Sequence, residues 1–159
     1  MNTANPYAAP TTLQRSSSRH RPTQSLAGAA AAAPMYSPTQ VAAATFLGGM
    51  TAGGILMAAN AHRGGRTIEA VTFAVGGLAG TIAIVALALM LPIDLPGMLF
   101  LLLSSLAMWG ISKAVQGAEC EAHITAGGEF AKGWKPVLIA VATGIVVGGA
   151  LFATLIMLG

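Results

Sequence analysis

Glu119, Cys120, Glu121 and His123 fall close together in the chain, the densest group of side chains able to bind a metal or move a proton. Thiolate, imidazole and carboxylate are a mixed ligand set that suits a transition metal, and His62 is expected on the same side of the molecule. Spacing argues against a closed site. On a helix Glu119 and His123 align at i and i+4, while Cys120 and Glu121 point elsewhere. Structural zinc sites use tighter Cys/His sets. A solvated loop is therefore the plainer reading. Glu119 and His123 remain the only, weak, metal candidates, and no cofactor is expected. A nucleophilic Cys120 needs a base and an oxyanion site; His123 is near, but no third group is apparent. No phosphate-binding loop, dinucleotide glycine motif, zinc-protease motif or nucleophile elbow is present. No catalytic residue is assigned, and the chain is not expected to be an enzyme.

The elements that carry these residues follow from composition. Of 159 residues, 55% are hydrophobic and only 8% charged, against about 25% charged in soluble domains. Mean hydropathy is +0.72. So few charges cannot coat a water-facing surface, which excludes a soluble enzyme and a disulfide-stapled module. The net charge of +3 comes from scattered basic residues without interleaved aromatics, so no nucleic-acid partner is expected. The single cysteine forms no intrachain disulfide. The fold class expected is all-α: a polytopic bundle of four transmembrane helices with a disordered N-terminal tail. The expected partner is the lipid bilayer.

Residues 1–34 are rich in Ala, Pro, Ser, Thr and Gln and carry Arg15, Arg19 and Arg21. Such a segment buries too little apolar surface to offset its ordering entropy. A signal peptide fits poorly, because the basic cluster lies far from Met1. The domain of 35–159 reads as four apolar runs of about 38–59, 68–91, 95–112 and 136–158, each near the length that crosses a hydrocarbon core of about 30 Å. Ser37, Pro38 and Gln40 predict a capping box with proline at the first helical position. Thr67 is a candidate cap for the second run, with Glu69 in its first turn. Pro92 stops that run, and Asp94 caps the third. Lys113 to Thr125 reads as a short interfacial helix before the Ala126-Gly127-Gly128 break. Trp134, Lys135 and Pro136 start the fourth run. The runs are uniformly apolar rather than alternating, which excludes a β-barrel.

Arg63 and Arg66 flank the first loop, and Lys113, Lys132 and Lys135 the third. Loops 60–67 and 113–135 are therefore expected in the cytoplasm. Four crossings then place both termini outside, an orientation that the three tail arginines oppose.

Small residues recur at four-residue spacing in the runs: Ala44, Gly48 and Ala52 with Gly49 and Gly53 beside them, then Gly76 and Gly80, then Gly144 and Gly148. Lipid gives helices no hydrophobic drive to associate, so close backbone approach supplies their packing. Packing within one bundle is the plainer reading; a face for a homo-oligomer or another membrane protein is the sharper one. Proton-coupled carriers leave an ionisable residue at membrane depth, and the runs hold only hydroxyls there. A non-enzymatic accessory or structural membrane protein is expected, with a small pore or carrier for a neutral or small solute as the alternative.

The segment Tyr36-Ser37-Pro38-Thr39-Gln40, then Thr45-Phe46-Leu47-Gly48-Gly49, Ala52-Gly53 and Asn60, resembles the opening of a family of small four-span bacterial inner-membrane proteins with no assigned activity. Gln116-Gly117, His123, Gly127-Gly128 and Trp134-Lys135 resemble that family's third loop and the start of its fourth span. The likeness runs from about residue 36 to the end. Met50 stands where the family has a proline, and the Gly64-Gly65 turn departs from it. The resemblance implies four spans in a bacterial inner membrane and transfers no residue role.

Overall fold

The computed structural model describes residues 34–91 and 96–158. The tail and the link of residues 92–95, with the Pro92 stop and the Asp94 cap, lie outside the described residues. The fold is all-α. Its helices are α1 (Pro38–Arg63), α2 (Thr67–Met90), α3 (Gly97–Thr125) and α4 (Trp134–Leu158). Each is long and apolar enough to cross a membrane, which marks a multi-pass membrane protein.

Local chemistry accounts for most helix ends. Gln40 donates its backbone N–H to the Ser37 hydroxyl, and its side-chain oxygen accepts the Ser37 N–H, closing the expected capping box. Thr67 does not cap α2. Arg66 holds that position without a side-chain cap bond, and its guanidinium reaches Glu69 at 2.8 Å instead. The third run and the short helix expected after it form one continuous helix: no Pro interrupts it, Gly110 and Gly117 stay helical within it, and its polar face is buried through Ser112, Gln116, Cys120 and His123. It ends at the Gly127 turn.

Helix α1 is where the structure departs most from the sequence. A straight helix of its 26 residues would be about 39 Å long. Yet the Tyr36 N–H donates to Asn60 Oδ1 at 2.8 Å, and Asn60 Nδ2 donates to the Tyr36 carbonyl at 2.8 Å. Its two ends lie side by side. The reversal sits at Gly49, at φ 75° and ψ 179°, a conformation essentially confined to glycine. Around it, residues four or eight apart are brought together. A Cβ on Gly48 would lie 2.9 Å from Ala52 Cβ, and one on Gly53 would lie 3.4 Å from Thr45 Cβ. Helix α1 is thus a hairpin of two half-helices, 38–48 and 50–63.

This hairpin is the hub. Helices α2, α3 and α4 each pack against it. Val41, Ala44, Ala52, Leu56 and Met57 of α1 are buried together with Met108 and Ala140. Helices α2 and α4 leave most of their apolar surface open. The first run was expected to carry the chain from one side to the other. Instead Arg63 lies over the Tyr36 ring, 4.8 Å from its centroid. Arg66 pairs with Glu119, and Gln40 Nε2 donates to the Ala131 carbonyl at 2.7 Å. The start of α1 shares one end of the bundle with both basic loops, which corrects the expected separation of the N-terminal side from them. The cause is the turn at Gly49.

Candidate functional site

Two polar features are built into the bundle. The first is a seam between the hairpin and α3. Gln116, fully buried, donates to the Met57 carbonyl at 2.9 Å and accepts from Asn60 Nδ2 at 3.2 Å. The Ser105 hydroxyl donates to the Ala42 carbonyl at 2.5 Å. Cys120 lies against the Tyr36 carbonyl at 3.9 Å. Buried polar groups are costly unless paired, and these are paired across elements, so they fix the register of α3 on the hairpin. The Ser112 hydroxyl is the one buried side-chain polar atom without a partner among the described residues. Asn60 and Gln116 were not singled out as a pair in the sequence. The available signal was Asn60 on the largely apolar α1, and Gln116 in line with Ser112, Cys120 and His123 at three- and four-residue spacing on α3.

The second feature is the hairpin tip. The Thr51 N–H donates to Thr81 Oγ1 at 3.0 Å, and the two hydroxyls lie 2.9 Å apart. Thr81 in turn donates to the Gly77 carbonyl at 3.1 Å. The break at Gly49 removes helical acceptors from the first turn of the second half-helix. A hydroxyl from the neighbouring helix replaces one of them, as an N-cap would.

The small residues divide sharply. Ala44, Gly48, Ala52 and Gly53 are buried, and a methyl on Gly48 would fall on the Ala140 carbonyl. Gly49 makes the turn. Gly80 faces Met50, whose sulfur lies 2.9 Å from a Cβ built there, and Gly144 faces the Leu47 carbonyl at 3.3 Å. Gly76 and Gly148 face open space, with nothing of the chain against them. Gly77 makes the approach to the hairpin instead: a Cβ there would meet the Met50 carbonyl at 2.7 Å. Adjacent glycines point about 100° apart, and four-residue spacing alone does not choose between them. Leucine at position 77 should therefore lower stability by about 2–3 kcal/mol, whereas leucine at 76 or 148 should change it by less than about 0.5 kcal/mol. Thermal unfolding in detergent micelles reads the difference.

The Glu119–His123 cluster is drawn apart. Glu119 pairs with Arg66. His123 is buried with Nε2 3.1 Å from the Glu129 carbonyl, and Gly128 lies against its ring. Cys120 is buried, while Glu121 and His62 are exposed. Among the described residues, no three His, Cys, Asp or Glu side chains come together. The arrangement ties the α3–α4 link to the helix ends. No protein-family model, curated protein or solved structure matches this chain.

Proposed function

We propose that this chain is a non-enzymatic accessory or structural membrane protein that acts through helix packing. One observation carries the reading. The hairpin interior is closed by glycine contacts and paired polar groups, while α2 and α4 keep apolar outer faces with Gly76 and Gly148 open on them. Small residues on a lipid-facing surface allow close approach of another helix, from a second copy or another membrane protein. Mass measurement in mild detergent tests this, with chemical cross-linking in the membrane as the second readout. A discrete oligomer or a stoichiometric complex is expected. A lone monomer in both overturns the reading.

We infer a bacterial inner membrane as the location, on the resemblance of the opening motif. Loops 60–67 and 113–135 are assigned to the cytoplasm together with the start of α1, and the C-terminus to the outside. Helix α1 then enters and leaves on one side as a re-entrant hairpin. Lys132, Lys135, Arg63 and Arg66 cluster at the end of the bundle where the chain enters α1. The tail arginines therefore cease to oppose the positive-inside rule. Single cysteines on a Cys120→Ala background test it. Cysteines at Thr12 and Gly65 should both resist an impermeant thiol reagent in intact cells, and one at Gly159 should react. Labelling at Thr12 with protection at Gly65 would refute the hairpin topology.

The solute pore or carrier stays as a second reading for one reason: the broken helix at Gly49 and its hydroxyl pair. Interrupted helices recur at transporter binding sites. Glycerol flux into proteoliposomes above the protein-free rate, reduced by Thr81→Val, would favour it.

A further inference from the structure

We propose that the N-terminal segment ahead of α1 binds the surface of an anionic bilayer through Arg15, Arg19 and Arg21, at the point where the entry strand 34–36 delivers it. The structure fixes that point. The Arg63 guanidinium donates to the Pro34 carbonyl. The Met35 N–H donates to the Glu129 carbonyl at 3.2 Å, and the Ala131 N–H to the Met35 carbonyl at 2.7 Å. Met35 and Phe130 thus form a parallel bridge between the entry strand and the α3–α4 link. A few residues along that link, Trp134 and Lys135 begin α4. Trp134 is 58% exposed, and an exposed tryptophan beside a lysine at a helix start marks the headgroup level. The chain therefore enters the bundle at the membrane surface. Arg21 lies thirteen residues before Pro34, at most about 45 Å of chain, so the arginines are held within reach of that surface.

Charge decides what they meet there. This end of the bundle carries Arg63, Arg66, Lys113, Lys132 and Lys135 against Glu69, Glu119, Glu121 and Glu129, so the folded part is almost neutral. Arg66 takes up two of those carboxylates, Glu69 and Glu119. Lys132 and Lys135 are exposed without an ion-pair partner among the described residues, and they stand between the entry strand and any role for the bundle as an acidic dock. The segment itself holds three arginines and no acid; the first carboxylate of the chain is Glu69. A basic residue close to an anionic leaflet contributes about 1 kcal/mol, a factor of about five. Three would hold a separate peptide weakly. Here the segment is tethered to the bilayer by four helices, so its binding is intramolecular and gains from effective concentration. Nucleic acid would meet the same charges. It would have to be recruited, however, and no Phe, Tyr or Trp stands among the arginines to stack on bases.

A nitroxide at Ser17→Cys on the Cys120→Ala background reads the contact in the full chain. The protein would be placed in nanodiscs of phosphatidylcholine alone or with phosphatidylglycerol. The slow and fast components of the spectrum give the ratio of surface-held to unbound label. That ratio should rise with phosphatidylglycerol. Arg19→Gln should lower it about five-fold, and Arg15→Gln, Arg19→Gln and Arg21→Gln together about a hundred-fold, to the phosphatidylcholine value. Lysine at all three positions should keep it. Raising NaCl to about 0.5 M shortens the screening length to about 4 Å and should release the label. Equal ratios in the two lipids would mean that the bundle itself holds the segment, and would overturn the proposal. So would an unchanged ratio in the triple glutamine variant, or release by an equimolar short RNA, which would assign the arginines to nucleic acid. All substitutions lie ahead of the first bonded residue, Pro34, and an unchanged unfolding temperature would show that each variant folds.

Discussion

Leucine in place of Gly48 should prevent the α1 hairpin from closing. The position has no room on two sides: an added Cβ would coincide with the Ala140 backbone carbonyl and lie 2.9 Å from Ala52 Cβ. Backbone cannot swing away as a long side chain does, so the cost exceeds ordinary overpacking and reaches about 3 kcal/mol or more. Valine at Gly49 acts by another route. A β-branched residue at φ 75° and ψ 179° carries conformational strain of about 1–3 kcal/mol. A cross-link reads the geometry directly. With Cys120→Ala as background, Thr45→Cys and Gly53→Cys place their Cβ atoms about as far apart as the 3.4 Å between Thr45 Cβ and a Cβ on Gly53. A disulfide spans about 3.5–4.5 Å between Cβ atoms. In a straight helix the same residues lie about 12 Å apart. Near-complete oxidation to the intrachain disulfide is expected in the parent and its loss in Gly48→Leu. Absence of the disulfide in the parent would disprove the hairpin itself.

This hairpin also marks the boundary of what the sequence reveals. The long apolar runs dictate helices, and the Ser37–Gln40 box and the Gly127 turn set boundaries that the structure reproduces. Each is a local property, readable over a few residues. The reversal at Gly49 is equally local in cause, yet it looks no different from the other glycines of α1. An apolar run of sufficient length satisfies the requirement for a crossing whether it continues or doubles back. What distinguishes the two is long-range: Asn60 returns to Tyr36, Gln116 holds Asn60, and Gly77 receives the tip. Pairing between elements has no signature at one position, which is also why Gly76 and Gly77 were not told apart. The Glu119–His123 group is drawn apart for the same reason. Proximity in sequence placed four donors together, but Arg66 and the Glu129 carbonyl, from other segments, compete for two of them. The tail arginines offer one hint: a charge pattern at odds with four crossings fits the re-entrant helix proposed above.

Leucine at Asn60 should open the hairpin from its other end. Asn60 is 1% exposed and uses its whole amide. Oδ1 accepts the Tyr36 N–H, and Nδ2 donates to the Tyr36 carbonyl and to Gln116 Oε1. Leucine nearly matches its volume, so little of the effect comes from a cavity. The loss comes from orphaned partners: Tyr36, 4% exposed, lies ahead of the first helical residue and has no helical bond to fall back on. Each buried polar group left without a partner costs about 1–3 kcal/mol, although polar pairs in membranes average lower, near 0.6 kcal/mol. A total of about 2–4 kcal/mol is expected because the Tyr36 N–H is orphaned while its carbonyl keeps only the weak Cys120 thiol. Gln116→Leu alone should cost less, since it leaves the Tyr36 clamp intact and the Met57 carbonyl, inside α1, still has its helical bond. The double variant separates the terms: once Asn60 is gone, removing Gln116 should cost clearly less than it does alone, because their shared bond is already lost. Unfolding in micelles gives the three values, and protease cleavage ahead of α1 should rise in both Asn60 variants. Strict additivity would mean that the amides act independently, and the seam would then not be what holds the two half-helices together at the loop end.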